Sequence, residues 1–134
     1  MQRCLPAFII GTCFFALLGC PGSSHAPLPT AKVKGNVKLD GKPMPSGDLR
    51  FSIPNQPVKT LEVKDGAFAG EAYVGKNLVE AVLEKDGPPH PMDPKTKLKV
   101  NSIGEKFYGP NSTLKAEVVA GENPPFNFEV TSKK

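Results

Sequence analysis

The chain has 134 residues, with 17 Lys+Arg against 13 Asp+Glu, a formal net charge of +4, 15 Pro, 13 Gly, 3 Cys and no Trp. That length suits one domain with one modest core. The basic excess is too small, and too poor in arginine and interleaved aromatics, for a nucleic-acid-binding surface.

Met1-Gln2-Arg3 precedes an apolar run from Leu5 to Gly19. One charge followed by such a run reads as an export signal over residues 1–19. The run is shorter than the roughly 20 residues that cross a bilayer as a helix. Cys20 follows it directly. Cys4 and Cys13 would leave with the signal, so Cys20 would remain alone and no internal disulfide could form. An ordinary secretory signal with a chance cysteine is the alternative. Residues 20–31 join Cys20 to the domain, and the eleven from Pro21 to Ala31 are small, polar and proline-spaced, a tether reaching about 34 Å at roughly 3.1 Å per residue if extended.

The folded domain is expected over 32–134. Val33, Val37 and Leu39 alternate with lysines and Asn36, which marks a strand with one wet face. Asp40-Gly41 signals a turn, and Pro43, Pro45 and Gly47 interrupt the ladder. Leu49, Phe51 and Ile53 alternate in a second strand, Leu61 and Val63 in a third. Asp65-Gly66 is a hairpin signal leading into a fourth, around Ala67–Tyr73, anchored by Phe68. The run 78–84 reads as a strand, with a short amphipathic helix as the alternative. Leu114, Ala116 and Val118 form a further strand, and Phe126, Phe128 and Val130 the last. The expected architecture is all-β, an antiparallel seven-stranded β-sandwich of prealbumin-like or immunoglobulin-like type. Its expected core is Val33, Val37, Leu39, Leu49, Phe51, Ile53, Leu61, Val63, Phe68, Leu114, Val118, Phe126, Phe128 and Val130. Residues 85–111 lack sustained apolar alternation and read as one long loop, the expected partner-binding segment through His90, Phe107 and Tyr108. The alternative is that Leu98, Val100 and Ile103 fold back to cover a sandwich edge.

Five stretches carry three resemblances to known families. Leu17-Leu18-Gly19-Cys20 resembles the lipobox of bacterial lipoproteins, which implies a diacylglycerol thioether on Cys20 and cleavage before it. Val33 to Pro45 (VKGNVKLDGKPMP) and Lys64-Asp65-Gly66-Ala67-Phe68 resemble the strand–turn units of carboxypeptidase-regulatory-like, transthyretin-like domains. Asn101 to Tyr108 and Leu114 to Phe128 resemble the ending of small planctomycete-type lipoproteins. Gly104, Phe107-Tyr108 and Pro124-Pro125 depart from that pattern. The resemblance implies a prealbumin-like sandwich carried by a lipoprotein, and transfers no catalytic residue.

Chemistry is sparse. His25 and His90 are the histidines, and His90 lies among Pro88, Pro89 and Pro91, a poor mount for a general base. Transthyretin-like hydrolases use histidines, an arginine and a Tyr-Arg-Gly-Ser tail; this chain ends Thr131-Ser132-Lys133-Lys134. Asp86, His90 and Asp93 fall short of a four-ligand structural zinc set. Asn111-Ser112-Thr113 matches a glycosylation acceptor, a chance match behind a bacterial signal. No enzyme, cofactor or metal is expected. The expected function is a lipid-anchored envelope module facing the periplasm or exterior, structural or protein-binding. Its alternative is a glycan-binding lipoprotein; a hydrolase is a distant third.

Overall fold

Burial alternates residue by residue along the first strand, β1 (Thr30–Leu39), with Ala31, Val33 and Val37 inside and Lys32, Lys34 and Lys38 outside. The computed structural model describes residues 26–134. The signal 1–19 and Cys20 lie outside the described residues. β1 begins at Thr30, earlier than the alternation from Lys32 suggests, because Ala31 is also buried.

Asp40 and Gly41 follow with φ of 52° and 80°. Two left-handed residues in succession make a type I′ turn, whose twist matches paired strands. The short β2 (Lys42–Pro43) then folds back on β1. Next come β3 (Ser46–Ser52), β4 (Lys59–Lys64), β5 (Ala67–Tyr73) and β6 (Gly75–Val82). Asp65 (φ 49°) and Gly66 (φ 80°) repeat the type I′ geometry between β4 and β5. The ambiguous run is a strand through Val82, since β6 pairs with β3 on one side and lies inside the sheet. β7 (Glu84–His90), β8 (Asp93–Asn101), a 3₁₀ turn at Glu105–Phe107, β9 (Lys115–Val118) and β10 (Phe126–Val130) complete the chain.

The main sheet runs β10-β1-β5-β4-β3-β6-β9, with β2 on β1, while β7 and β8 pair separately. Two expectations are corrected. The described residues hold ten strands rather than seven, and β10 lies parallel to β1, so the sheet is not wholly antiparallel. A curled, sandwich-like sheet is evident from its aromatic core. Phe51 on β3 and Phe128 on β10 sit four strands apart in the sheet order, yet their ring centroids are 6.4 Å apart. At roughly 4.8 Å per strand a flat sheet would separate them by about 19 Å. Phe68 on β5 completes the triad, 6.2 Å from Phe51 and 6.0 Å from Phe128.

Most of the expected core set is buried; Leu39, Ile53, Leu114 and Phe126 are half-buried. Met44, Val79, Ile103 and Phe107 join them. Met44 stands in the proline-broken turn, where pattern reading expects solvent. Its backbone bonds with Val37 and Gly66 turn the side chain inward to close the end of the core.

The strands run between two poles. The entry pole gathers the start of β1, the β3–β4 loop, the β5–β6 turn and the end of β9. The far pole gathers both Asp-Gly turns, the end of β6 and the C-terminal residues, where Ser132 N donates to Asp40 Oδ1. Asn77 is buried near the entry pole; its amide donates to Tyr73 O (2.7 Å) and Gly75 O (3.0 Å) and so holds the β5–β6 turn.

Candidate functional site

The expected long loop at 85–111 is instead mostly a β-ribbon, and this is the main correction to the candidate site. β7 and β8 pair antiparallel with Glu84 opposite Asn101, Lys85 opposite Val100 and Asp86 opposite Lys99. A bulge shifts the register before Pro89 meets Lys97, and His90 meets Asp93 across the tip. Neither face packs on the core: the residues of both strands are exposed or half-buried throughout. Apolar alternation is therefore absent, because no side of the ribbon needs to be apolar. The period of two survives in Lys95, Lys97 and Lys99.

An isolated two-stranded sheet is marginal in water, so the base of this one is fastened. Asn101 Oδ1 accepts from Leu83 N (3.0 Å) and Ile103 N (3.1 Å), and its Nδ2 donates to Ala81 O (3.3 Å). Ser102 Oγ donates to Leu83 O at 3.0 Å, and Lys133 N donates to Ser102 O at 2.8 Å. Ile103 is fully buried and bridges to Ser132. The alternative in which Leu98, Val100 and Ile103 cover an edge thus holds for Ile103 alone. Val100 is exposed and Leu98 half-buried, both on the ribbon.

Along one ribbon face Asp86 pairs with Lys99 (2.5 Å) and Lys97 (3.9 Å). The hydrogen bond from Lys99, then its charge, holds the Asp86 carboxyl below its ordinary value of 3.8 and raises Lys99. A depressed acid contributes stability above its unfolded pKa and loses it as pH falls through the folded one. The pair should therefore persist where an ordinary aspartate is already half protonated, and weaken progressively as pH falls through the lowered midpoint. A carbon-detected NMR titration is expected to place the Asp86 midpoint under 3.8; a midpoint at or above that value would refute the pairing. The opposite face carries Val100 beside Gly87, where a Cβ would lie 2.8 Å from Val100 Cγ1. Pro88, Pro89 and Pro94 offer no N–H groups, which discourages other strands from adding to the ribbon.

The expected site residues separate. His90 is at the tip, half-buried, and its Nδ1 accepts from Met92 N at 3.2 Å, a turn-forming role. Asp93 is engaged by Thr96 Oγ1 (2.6 Å) and Lys95 N (3.1 Å), which also holds its carboxyl below the ordinary value. Among the described residues no three His, Cys, Asp or Glu side chains converge as a metal ion requires. Phe107, expected from sequence to be an exposed contact, is buried instead: the 3₁₀ turn aims it into the core, with Lys106 Nζ 4.8 Å from its ring centroid. Tyr73 is likewise buried, and Tyr108 is half-buried off the ribbon. Pattern reading misses Met92, at 89% the most exposed large apolar side chain among the described residues. Its signal was present in His90-Pro91-Met92-Asp93, a short turn between proline-rich and lysine-alternating runs.

A concavity of about 700 Å3 lies between β1, β5 and the β9–β10 turn. Lys32, Lys34, Glu71 and Glu122 line it in charge balance, and Asn123 braces its rim through Lys32 O (3.3 Å) and Val119 O (2.9 Å). It presents no nucleophile–base pair. Among the described residues no helix is long and apolar enough to cross a membrane. No family model, curated protein or solved structure matches this chain.

Proposed function

We propose that the protein is a non-catalytic, lipid-anchored module of the bacterial envelope that presents the β7–β8 ribbon to a protein partner. Acylation falls on Cys20 in this reading, and the fold belongs to the prealbumin-like class. The supporting observation is one juxtaposition: the chain enters β1 at one pole, while the ribbon leaves β6 at the other. A ribbon with no buried face contributes little to a core, whereas its exposed Met92 and Val100 and its proline-stiffened backbone suit protein contact. The resemblance at Val33–Pro45 and Lys64–Phe68 supports the fold class, since both segments form strand and type I′ turn. A glycan ligand is less supported, because Tyr73 and Phe107 are buried and unavailable for stacking.

Two variants test the reading. Cys20→Ser is expected to abolish fatty-acid incorporation and release the protein from membranes. Replacing 88–94 with a two-residue turn should leave the melting temperature nearly unchanged while abolishing cross-linking to the partner captured by a photoreactive group at position 100, an exposed ribbon position that the shortened chain keeps. Wild-type protein that takes up no fatty acid defeats the anchor. Capture that survives the shortened tip defeats the ribbon.

A further inference from the structure

Outside the ribbon, the large apolar side chains exposed among the described residues all lie at the entry pole. Leu28 precedes β1, Val58 precedes β4 and Val119 follows β9, with exposures of 38%, 54% and 50%. One such residue is ordinary on a surface. Three at the pole where the chain enters, and none on the sheet faces, form a pattern. Lys59 and Lys76 flank them, one beside Val58 and one beside the β5–β6 turn. Lysines at the edge of an apolar surface keep their ammonium groups in water while their stems lie on it.

Chain length adds an independent constraint. The Ala26 carbonyl accepts from Gln56 Nε2 in the β3–β4 loop (3.4 Å), and the Pro29 carbonyl accepts from Val74 N (2.9 Å). Residues 26–29 thus lie against the entry pole and add nothing to the reach of a tether. From Cys20 to Ala26 the chain has six residue steps, at most about 22 Å even fully extended. β1 alone, at 10 residues, spans about 33 Å. A domain held that closely cannot turn its far pole to the bilayer without lifting the entry pole beyond the tether.

We propose that the entry pole is a membrane-contact surface, with Leu28, Val58 and Val119 resting in the headgroup–acyl boundary. This rests on the lipid anchor at Cys20. Glu71 and Glu122 balance Lys32 and Lys34 nearby, so the contact is apolar and needs no anionic lipid. The bilayer is favoured over a second copy of the chain because the tether keeps this pole at the lipid surface.

The test uses the mature, acylated protein in phosphatidylcholine vesicles, with single nitroxide labels at Val58→Cys, Val119→Cys and Met92→Cys. Relaxation by oxygen, which concentrates in lipid, is compared with relaxation by a water-soluble nickel chelate. The oxygen-to-nickel ratio is expected to be several-fold higher at positions 58 and 119 than at 92. Equal ratios in protein whose mass shows the acyl chains would overturn the membrane contact while leaving the anchor standing. Spin–spin broadening at 58 and 119 that grows with protein-to-lipid ratio would overturn it in favour of self-association. A mass without acyl chains would overturn the anchor itself, and this inference with it.

Discussion

Phe128→Ala is expected to destabilise the domain by about 3–5 kcal/mol, the range for removing a buried phenylalanine. Small domains have roughly 5–15 kcal/mol in total, so much of the folded population at elevated temperature should be lost. The size of the effect follows from position. Phe128 on β10 meets rings from across the curled sheet, stacking on Phe68 of β5 at 6.0 Å and meeting Phe51 of β3 edge-on at 6.4 Å. Phe126, its neighbour on β10 at 6.3 Å, is only half-buried. Phe126→Ala should therefore cost clearly less. Urea unfolding of the two variants checks the order. If they cost the same, the ring at 128 does not hold β10 against β3 and β5.

Gly35→Ala is expected to be nearly as damaging, although it adds only one methyl group. A Cβ at Gly35 would overlap the Phe126 carbonyl oxygen and sit 2.7 Å from its carbon. These are backbone atoms of the paired strand and cannot rotate away. β10 must lift from β1, and with it the parallel register from Gly35–Phe126 to Leu39–Val130. A loss of at least about 3 kcal/mol, the upper end for overpacking, is expected. Hydrogen exchange should localise it, with amides of β10 losing protection before those of β3 and β4. Gly41→Ala is the control, since nothing lies within 4 Å of its Cβ and only its φ of +80° is strained. Equal stability of Gly35→Ala and the parent would show that β10 does not approach so closely.

The candidate site was only partly legible in the sequence. The segment around His90 drew attention for its prolines and lysines, and the structure places the ribbon there. Its form was not legible, because strand prediction depends on a buried face and this ribbon has none. Phe107 and Tyr108 read as an exposed pair because nothing local reveals which way a 3₁₀ turn will aim a ring. The choice was made by Ile103 and the C-terminal residues, which draw the turn against β6. Asn101 opens a stretch with a family resemblance, but nothing in its local pattern marks it as a fastener. Its role as the fastener of the ribbon exists only once Ala81, Leu83 and Ile103 are brought together.

By itself the sequence determined the all-β class, most segments of the main sheet and the inward parity of β1, β3, β4, β9 and β10, but not β2 or the parity of β6. Period-two burial is a local property, written wherever one face of a strand is dry, as in Val33 to Leu39 or Leu61 to Val63. It also determined both Asp-Gly turns, because the left-handed region at two successive residues is open at low cost to so few residue types. Tertiary structure alone decided the strand order, the parallel placement of β10, the inward turn of Met44 and the burial of Phe107. Each of these depends on residues far apart in the chain competing for one enclosed volume, and no local period records the outcome. The two poles are of the same kind: Leu28, Val58 and Val119 are scattered in sequence and share an end of the molecule only because the sheet pairs their strands in that register.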